Sequence, residues 1–153
     1  MKRLVSKRTI DTEIYELENK NVLIECQFLD PYHLISLELE VEPRTKQIVN
    51  ANSQFTNFPT SVCPWVEQKA QLLKGLIIRR GIIKEVSKAV GGGDGCIHLR
   101  ELSINAINFA ATALIGYDQG YGLMSRDFNI LTEEERYEQA SEILKGTCHA
   151  FKP

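Results

Sequence analysis

The sequence predicts an α+β fold, an antiparallel sheet meander followed by packed helices, and three observations carry that prediction. Strand-like segments run from Thr9 to Phe55, with apolar and polar residues alternating at period two from Leu34 to Val41. After Pro59 the apolar spacing lengthens to that of a helix. The later part is punctuated by helix start and stop signals, from Pro64 and Gly75 to a capping box at Thr132 and Glu135. No internal repeat, low-complexity segment or linker interrupts the chain, so residues 1–153 read as a single domain.

The elements follow in order. Thr9 to Leu17 and Asn21 to Leu29 are strands joined through Glu18, Asn19 and Lys20 as a hairpin. From Leu34 to Val41 the alternation is strict. Ile35, Leu37, Leu39 and Val41 fall on one face and Ser36, Glu38 and Glu40 on the other, the pattern of a half-buried antiparallel strand. A turn at Glu42, Pro43 and Arg44 leads to a fourth strand, Gln47 to Phe55. Pro64 then suits a first helical position, and Trp65, Val66, Ala70, Leu72 and Leu73 follow with mostly helical spacing until Gly75. Ile82, Ile83, Val86 and Val90 mark a short second helix ended by a glycine run. A third, from Ile97 to Ile115, carries a broad apolar face including Leu99, Leu102, Ala106, Ile107 and Ala110. A loop from Gly116 to Asn129, bearing Tyr117, Tyr121, Met124 and Phe128, precedes a last helix that stops at Gly146.

Composition narrows the function classes. Apolar residues make up 43% and charged residues 25%, proportions of an ordinary globular chain. Eighteen basic against twenty acidic residues leave a net charge of -2, so no nucleic-acid or membrane partner is expected; the partner classes left are another protein or a second copy of the chain. The basic start, Lys2, Arg3, Lys7 and Arg8, reads as a solvated strand face. Neither a membrane span nor a signal peptide is evident, so a cytoplasmic location is expected. There Cys26, Cys63, Cys96 and Cys148 would remain thiols.

The stretch GGGDGCIHLREL, Gly91 to Leu102, concentrates the chemistry. A phosphate-binding loop would follow its glycines with a lysine and a hydroxyl; Cys96 and Ile97 stand there instead. Cys96 precedes the third helix and Cys63 the first, two positions where a sulfur becomes a good ligand or nucleophile. Alone, either cysteine would read as a small buried apolar residue, and their recurrence at helix starts is what points to a site. His98 adds an imidazole beside Cys96, a pairing suited to zinc or iron. Glu101, three residues on, falls on the same helix face, where it would orient that ring or ligate directly; alone it would read as a solvated surface glutamate. Cys148 and His149 form a second pair near the end of the chain. Cys26 lies within an apolar strand and reads as core. No CxxC pair is present.

These residues carry two resemblances. The chain resembles a widespread bacterial family of unknown function marked by a Gly-Cys-Thr-His-Leu motif and a later Cys-His-Ala. The motifs stand here as Gly95, Cys96, Ile97, His98 and Leu99 and as Cys148, His149 and Ala150, with a proline-then-cysteine element at Pro59 and Cys63. Ile97 departs from that pattern, so no hydroxyl role is carried to it. The order of alternating strand, Cys63 and Cys96 helix is also similar to the iron-sulfur scaffold proteins of the IscU and NifU type. That resemblance implies a cluster-binding fold; where the scaffolds have their first cysteine, this chain has Asp30, Pro31, Tyr32 and His33, making His33 the residue to approach the same site.

The expectation that follows is a small cytosolic accessory protein binding zinc, iron or an iron-sulfur cluster. Its ligands would be drawn from Cys63, Cys96 and His98, completed by His33, Cys148 or His149, because thiolate and imidazole suit these metals better than magnesium or calcium. Two alternatives stand beside it. One is a cysteine-dependent enzyme acting on an acyl or thioester substrate, with Cys96 as nucleophile and His98 or His149 as base. The other is a noncatalytic interaction subunit using the aromatic loop.

Overall fold

A computed structural model describes residues 1–117, 124 and 130–152. Most of the loop read from Gly116 to Asn129, with Tyr121 and Phe128, lies outside the described residues. The chain separates into two compact units, Met1–Ala110 and Ala111–Pro153.

The first unit opens with four antiparallel strands in sequential order: β1 (Thr9–Glu16), β2 (Val22–Leu29), β3 (Leu34–Glu42) and β4 (Gln47–Asn57). Each is joined to the next by a short turn, the local connection that antiparallel pairing permits. Lys20 takes the left-handed conformation (φ 68°) that closes the first hairpin. In the third turn the Glu42 carboxylate accepts the backbone N–H groups of Arg44 and Thr45, and burdens of this kind suit an acidic turn residue. The register sets Ile24 opposite Leu39 and Phe28 opposite Ile35. Val22, Ile24, Phe28, Ile35, Leu37, Leu39 and Val41 all lose their solvent exposure on one face, so the alternation read in the sequence becomes a one-sided core.

The segment Cys63–Leu73 is a 3-10 helix, whereas its apolar spacing suggests a helix without fixing its type. Bonds to β4 accompany the tighter winding. Ser53 Oγ donates to the Glu67 carbonyl at 2.9 Å, an acceptor that an α-helix would offer to Gln71, and the Phe55 N–H donates to Glu67 Oε1 at 2.6 Å. Lys74 closes the last turn onto Gln71. Gly75 then reverses the chain at φ 91°, and Gly75 N–H and Leu76 O both bond to Ile48.

Helix α1 (Ile82–Val90) buries Ile82, Val86 and Val90, one stripe at helical spacing. It is tied to α2 (Ile97–Ala113) through Ser87, whose hydroxyl donates to the Ile83 carbonyl and accepts from Arg100 Nε at 2.8 Å. Along α2, Leu99, Leu102, Ser103, Ala106, Ile107 and Ala110 are buried. The same helix meets β1 and β2: Thr12 Oγ1 donates to Asn105 Oδ1 at 2.8 Å and lies 3.0 Å from Cys26 Sγ. Cys26 is 2% exposed, and burial raises its thiol pKa. Its placement is that of the core residue read from the sequence.

In the second unit, α3 (Glu133–Leu144) begins with the full capping box. Thr132 Oγ1 accepts from Glu135 N–H while Glu135 Oε2 accepts from Thr132 N–H. Gly146, at φ 73°, turns the chain back, and a short 3-10 turn, His149–Phe151, lays Phe151 on Tyr137 with ring centroids 5.3 Å apart. No helix among the described residues is long and apolar enough to cross a membrane.

Candidate metal centre

The β2–β3 turn and the start of α2 bring Asp30, His33 and His98 together. One potential ligand atom from each lies within 4.8 Å of the others. The turn is local chemistry. Asp30 N–H donates to the His33 carbonyl at 3.0 Å, and Asp30 Oδ1 accepts the N–H groups of Tyr32 and His33, each at 2.8 Å. An aspartate that bonds the backbone two and three residues on is a self-contained turn former. The same oxygen lies 2.9 Å from His33 Nδ1, so the turn fixes the His33 ring as it closes. Burial alone would raise the Asp30 pKa; the Tyr32 amide and the His33 ring and amide outweigh it and hold the carboxyl below its usual range.

The glycine run delivers His98 from the other side. Gly91 N–H bonds to Ser87 O, Gly95 N–H to Gly92 O and Cys96 N–H to Val90 O at 2.9 Å, so the chain coils tightly between α1 and α2. A Cβ on Gly95 would meet the Val90 carbonyl oxygen at 2.3 Å and the Gly91 carbonyl oxygen at 2.4 Å. Only glycine fits there. Cys96 immediately precedes α2, its carbonyl accepts the Arg100 N–H at 2.9 Å, and its sulfur is 4.0 Å from His98 Nδ1.

His98 and His33 face one another with ring centroids 4.1 Å apart, and Phe28 packs against both, 5.0 Å from His98 and 6.0 Å from His33. Burial, then the neighbouring His33 and the Arg8 charge, lower the His98 pKa against the opposing pull of Asp30 and Glu101. The shift favours the neutral imidazole, the form that can act as a ligand. His98, Glu101 and Asn105 share one face of α2, the face turned to β1 and β2. Arg8 closes the rim. Its guanidinium lies 3.3 Å from Glu101 Oε2 and 3.9 Å from Asp30 Oδ2, with its carbon 4.8 Å from the Phe28 ring centre.

Of the residues singled out from the sequence, His33 and His98 meet in this cluster, Cys96 touches His98, and Glu101 reaches the cluster's edge through Arg8. Cys63 is not among the converging groups; its sulfur lies 3.2 Å from Thr60 Oγ1, in the first turn of the 3-10 segment. Cys148 and His149 belong to the second unit, where Cys148 is exposed and precedes the turn stacked on Tyr137. Two participants were not singled out as site residues. Asp30 sits three residues before His33 in a turn between two alternating strands, a spacing that could have flagged it. For Arg8 no local signal exists, because its partners come from distant segments.

The described residues make an α+β fold in which two imidazoles and a carboxylate converge between a sheet turn and a helix start. The chain belongs to DUF2889, a family of proteins of unknown function, whose model matches residues 5–112. That span includes Arg8, Asp30, His33, Cys96, His98 and Glu101. No curated protein and no solved structure matches the chain.

Proposed function

We propose that the protein is a small cytosolic metal-binding accessory protein that holds one zinc or iron ion at Asp30, His33 and His98. The convergence of those three donors within 4.8 Å carries the reading. Two imidazoles and a carboxylate suit a borderline first-row ion, and three protein donors leave coordination positions open. Cys96, 4.0 Å from His98, is the sulfur nearest to joining the shell. An iron-sulfur cluster would draw mainly on thiolates, and the donor set supports a single ion more strongly than a cluster.

Metal analysis of protein purified without oxygen tests this. The expected result is about one zinc or iron per chain, lost in the His33→Ala, His98→Ala double variant and kept in Cys63→Ala. A metal-free wild type, or metal that survives loss of both histidines, would overturn the proposal.

The contact between Cys96 Sγ and His98 Nδ1 also supports a second reading, a cysteine-dependent enzyme with Cys96 as nucleophile and His98 as base. Selective alkylation of Cys96 at neutral pH, blocked by a small acyl compound but unaffected by chelators, would favour it over the metal centre.

A further inference from the structure

Arg8 is a charged group at the centre to which the metal reading gives no task. Its guanidinium is held from two sides by carboxylates, Glu101 at 3.3 Å and Asp30 at 3.9 Å, and from a third by the Phe28 ring. The side chain nevertheless remains 50% exposed, so a solute arriving at the centre meets it directly. Glu101 is 40% exposed as well, and an ion pair open to water on both sides exchanges readily for a better partner.

A divalent ion at Asp30, His33 and His98 would change the balance. Asp30 supplies the only negative charge among the three donors, so the ion keeps net positive charge a few ångströms from a guanidinium. Two positive centres so close favour a negative group between them. The three donors leave coordination positions free, and a guanidinium offers its N–H groups as a planar fork that matches a pair of oxygens.

We infer that Arg8 and the metal together form a binding site for a small oxyanion, a carboxylate or a phosphate, with one oxygen on the ion and another on the Arg8 fork. The inference rests on the metal reading above. It assigns to the centre a class of ligand: an acidic small molecule or an acidic group on a larger one. Glu101 acts in it as the internal competitor that occupies Arg8 until the anion arrives.

Cobalt(II) as the bound metal gives a visible spectrum that responds to a new ligand. Cobalt-loaded protein is titrated with oxalate and, separately, with inorganic phosphate, in wild type, Arg8→Met and Glu101→Gln. Methionine retains an apolar stem over Phe28 while removing the fork. At least one anion is expected to perturb the wild-type spectrum. Its apparent Kd should weaken about tenfold in Arg8→Met and tighten severalfold in Glu101→Gln, the scale expected for gain or loss of a charge-assisted pair. The anion with the larger Arg8 dependence identifies the ligand class. If wild type takes up no cobalt, the metal reading and this inference fall together. If cobalt binds but neither anion perturbs the spectrum, or Arg8→Met leaves both anion affinities unchanged, or calorimetry shows metal-free protein binding the anions equally well, this inference alone is overturned.

Discussion

Two alanine substitutions within one turn should move stability in opposite directions. At Gly95 an added Cβ would lie 2.3 Å from the Val90 carbonyl oxygen and 2.4 Å from that of Gly91. Both are backbone atoms, so no side chain can swing aside to relieve the overlap. The Val90 oxygen is also the acceptor for Cys96 N–H, and moving it loosens the bond that sets the start of α2. Overpacking of this kind costs about 1–3 kcal/mol. At Gly93 the same Cβ would meet nothing within 4 Å, and the residue does not need a left-handed backbone. There alanine only restricts the unfolded chain, a gain of about 0.4–1 kcal/mol. For a chain of this size, 1 kcal/mol corresponds to roughly 2–4 °C in Tm. Thermal unfolding followed by circular dichroism should therefore place Gly95→Ala below wild type by about 2–12 °C and Gly93→Ala at or slightly above it. Gly95→Ala should also bind metal more weakly, because Cys96 and His98 follow directly from the distorted turn. Equal Tm values for the two variants would refute the claim that the glycine at 95 is required by close backbone approach.

Cys26, buried and with its thiol pKa raised by that burial, should resist iodoacetamide at neutral pH while the exposed Cys148 reacts; mass spectrometry of a timed alkylation would show both, and early labelling of Cys26 would contradict its placement. In the β3–β4 turn, the Thr45 hydroxyl and the Thr45 and Arg44 amides hold the Glu42 pKa below its ordinary value of 4.5. A lowered carboxyl pKa contributes stability above the unfolded value and loses it as pH falls through the folded one. Glu42→Gln should therefore be less stable than wild type at neutral pH and lose less on acidification, and parallel Tm curves against pH for the two proteins would count against the turn bonds.

Much of the fold is legible in the sequence because its determinants are local or periodic. Ile35, Leu37, Leu39 and Val41 alternate with polar residues and are all fully buried; Thr132 and Glu135 spell a capping box and form one. The 3-10 winding of Cys63–Leu73 is less legible, since apolar spacing does not fix the helix type and the segment's Glu67 bonds to Ser53 and Phe55 of β4 are tertiary. The site divides in the same way. Residue type and spacing flag His98 and Cys96, whereas His33 is named only through the resemblance to the IscU and NifU scaffolds, near the place of their first cysteine. The placement of Cys63 at a helix start is a local property, whereas meeting another ligand depends on where that helix lies. Arg8 and Glu101 are 93 residues apart in sequence and meet only because β1 packs against α2.

The division of the chain into two units makes the metal reading testable through stability as well as stoichiometry. Every proposed donor lies in Met1–Ala110, and the donors come from segments joined only by the tertiary fold, the β2–β3 turn and the start of α2. An unfolded chain cannot present them together, so binding energy adds to folding energy: at a free metal concentration 100 times Kd, the gain is about 2.7 kcal/mol. Helix α3 lies in the other unit, buries none of its residues and carries no proposed donor. Hydrogen exchange should therefore slow on zinc addition at Asp30 to His33 and at the first turns of α2, with Glu133–Leu144 unchanged. Protection confined to α3 and the Cys148–His149 turn would place the ion in the second unit instead, and the Asp30, His33 and His98 centre would have to be abandoned.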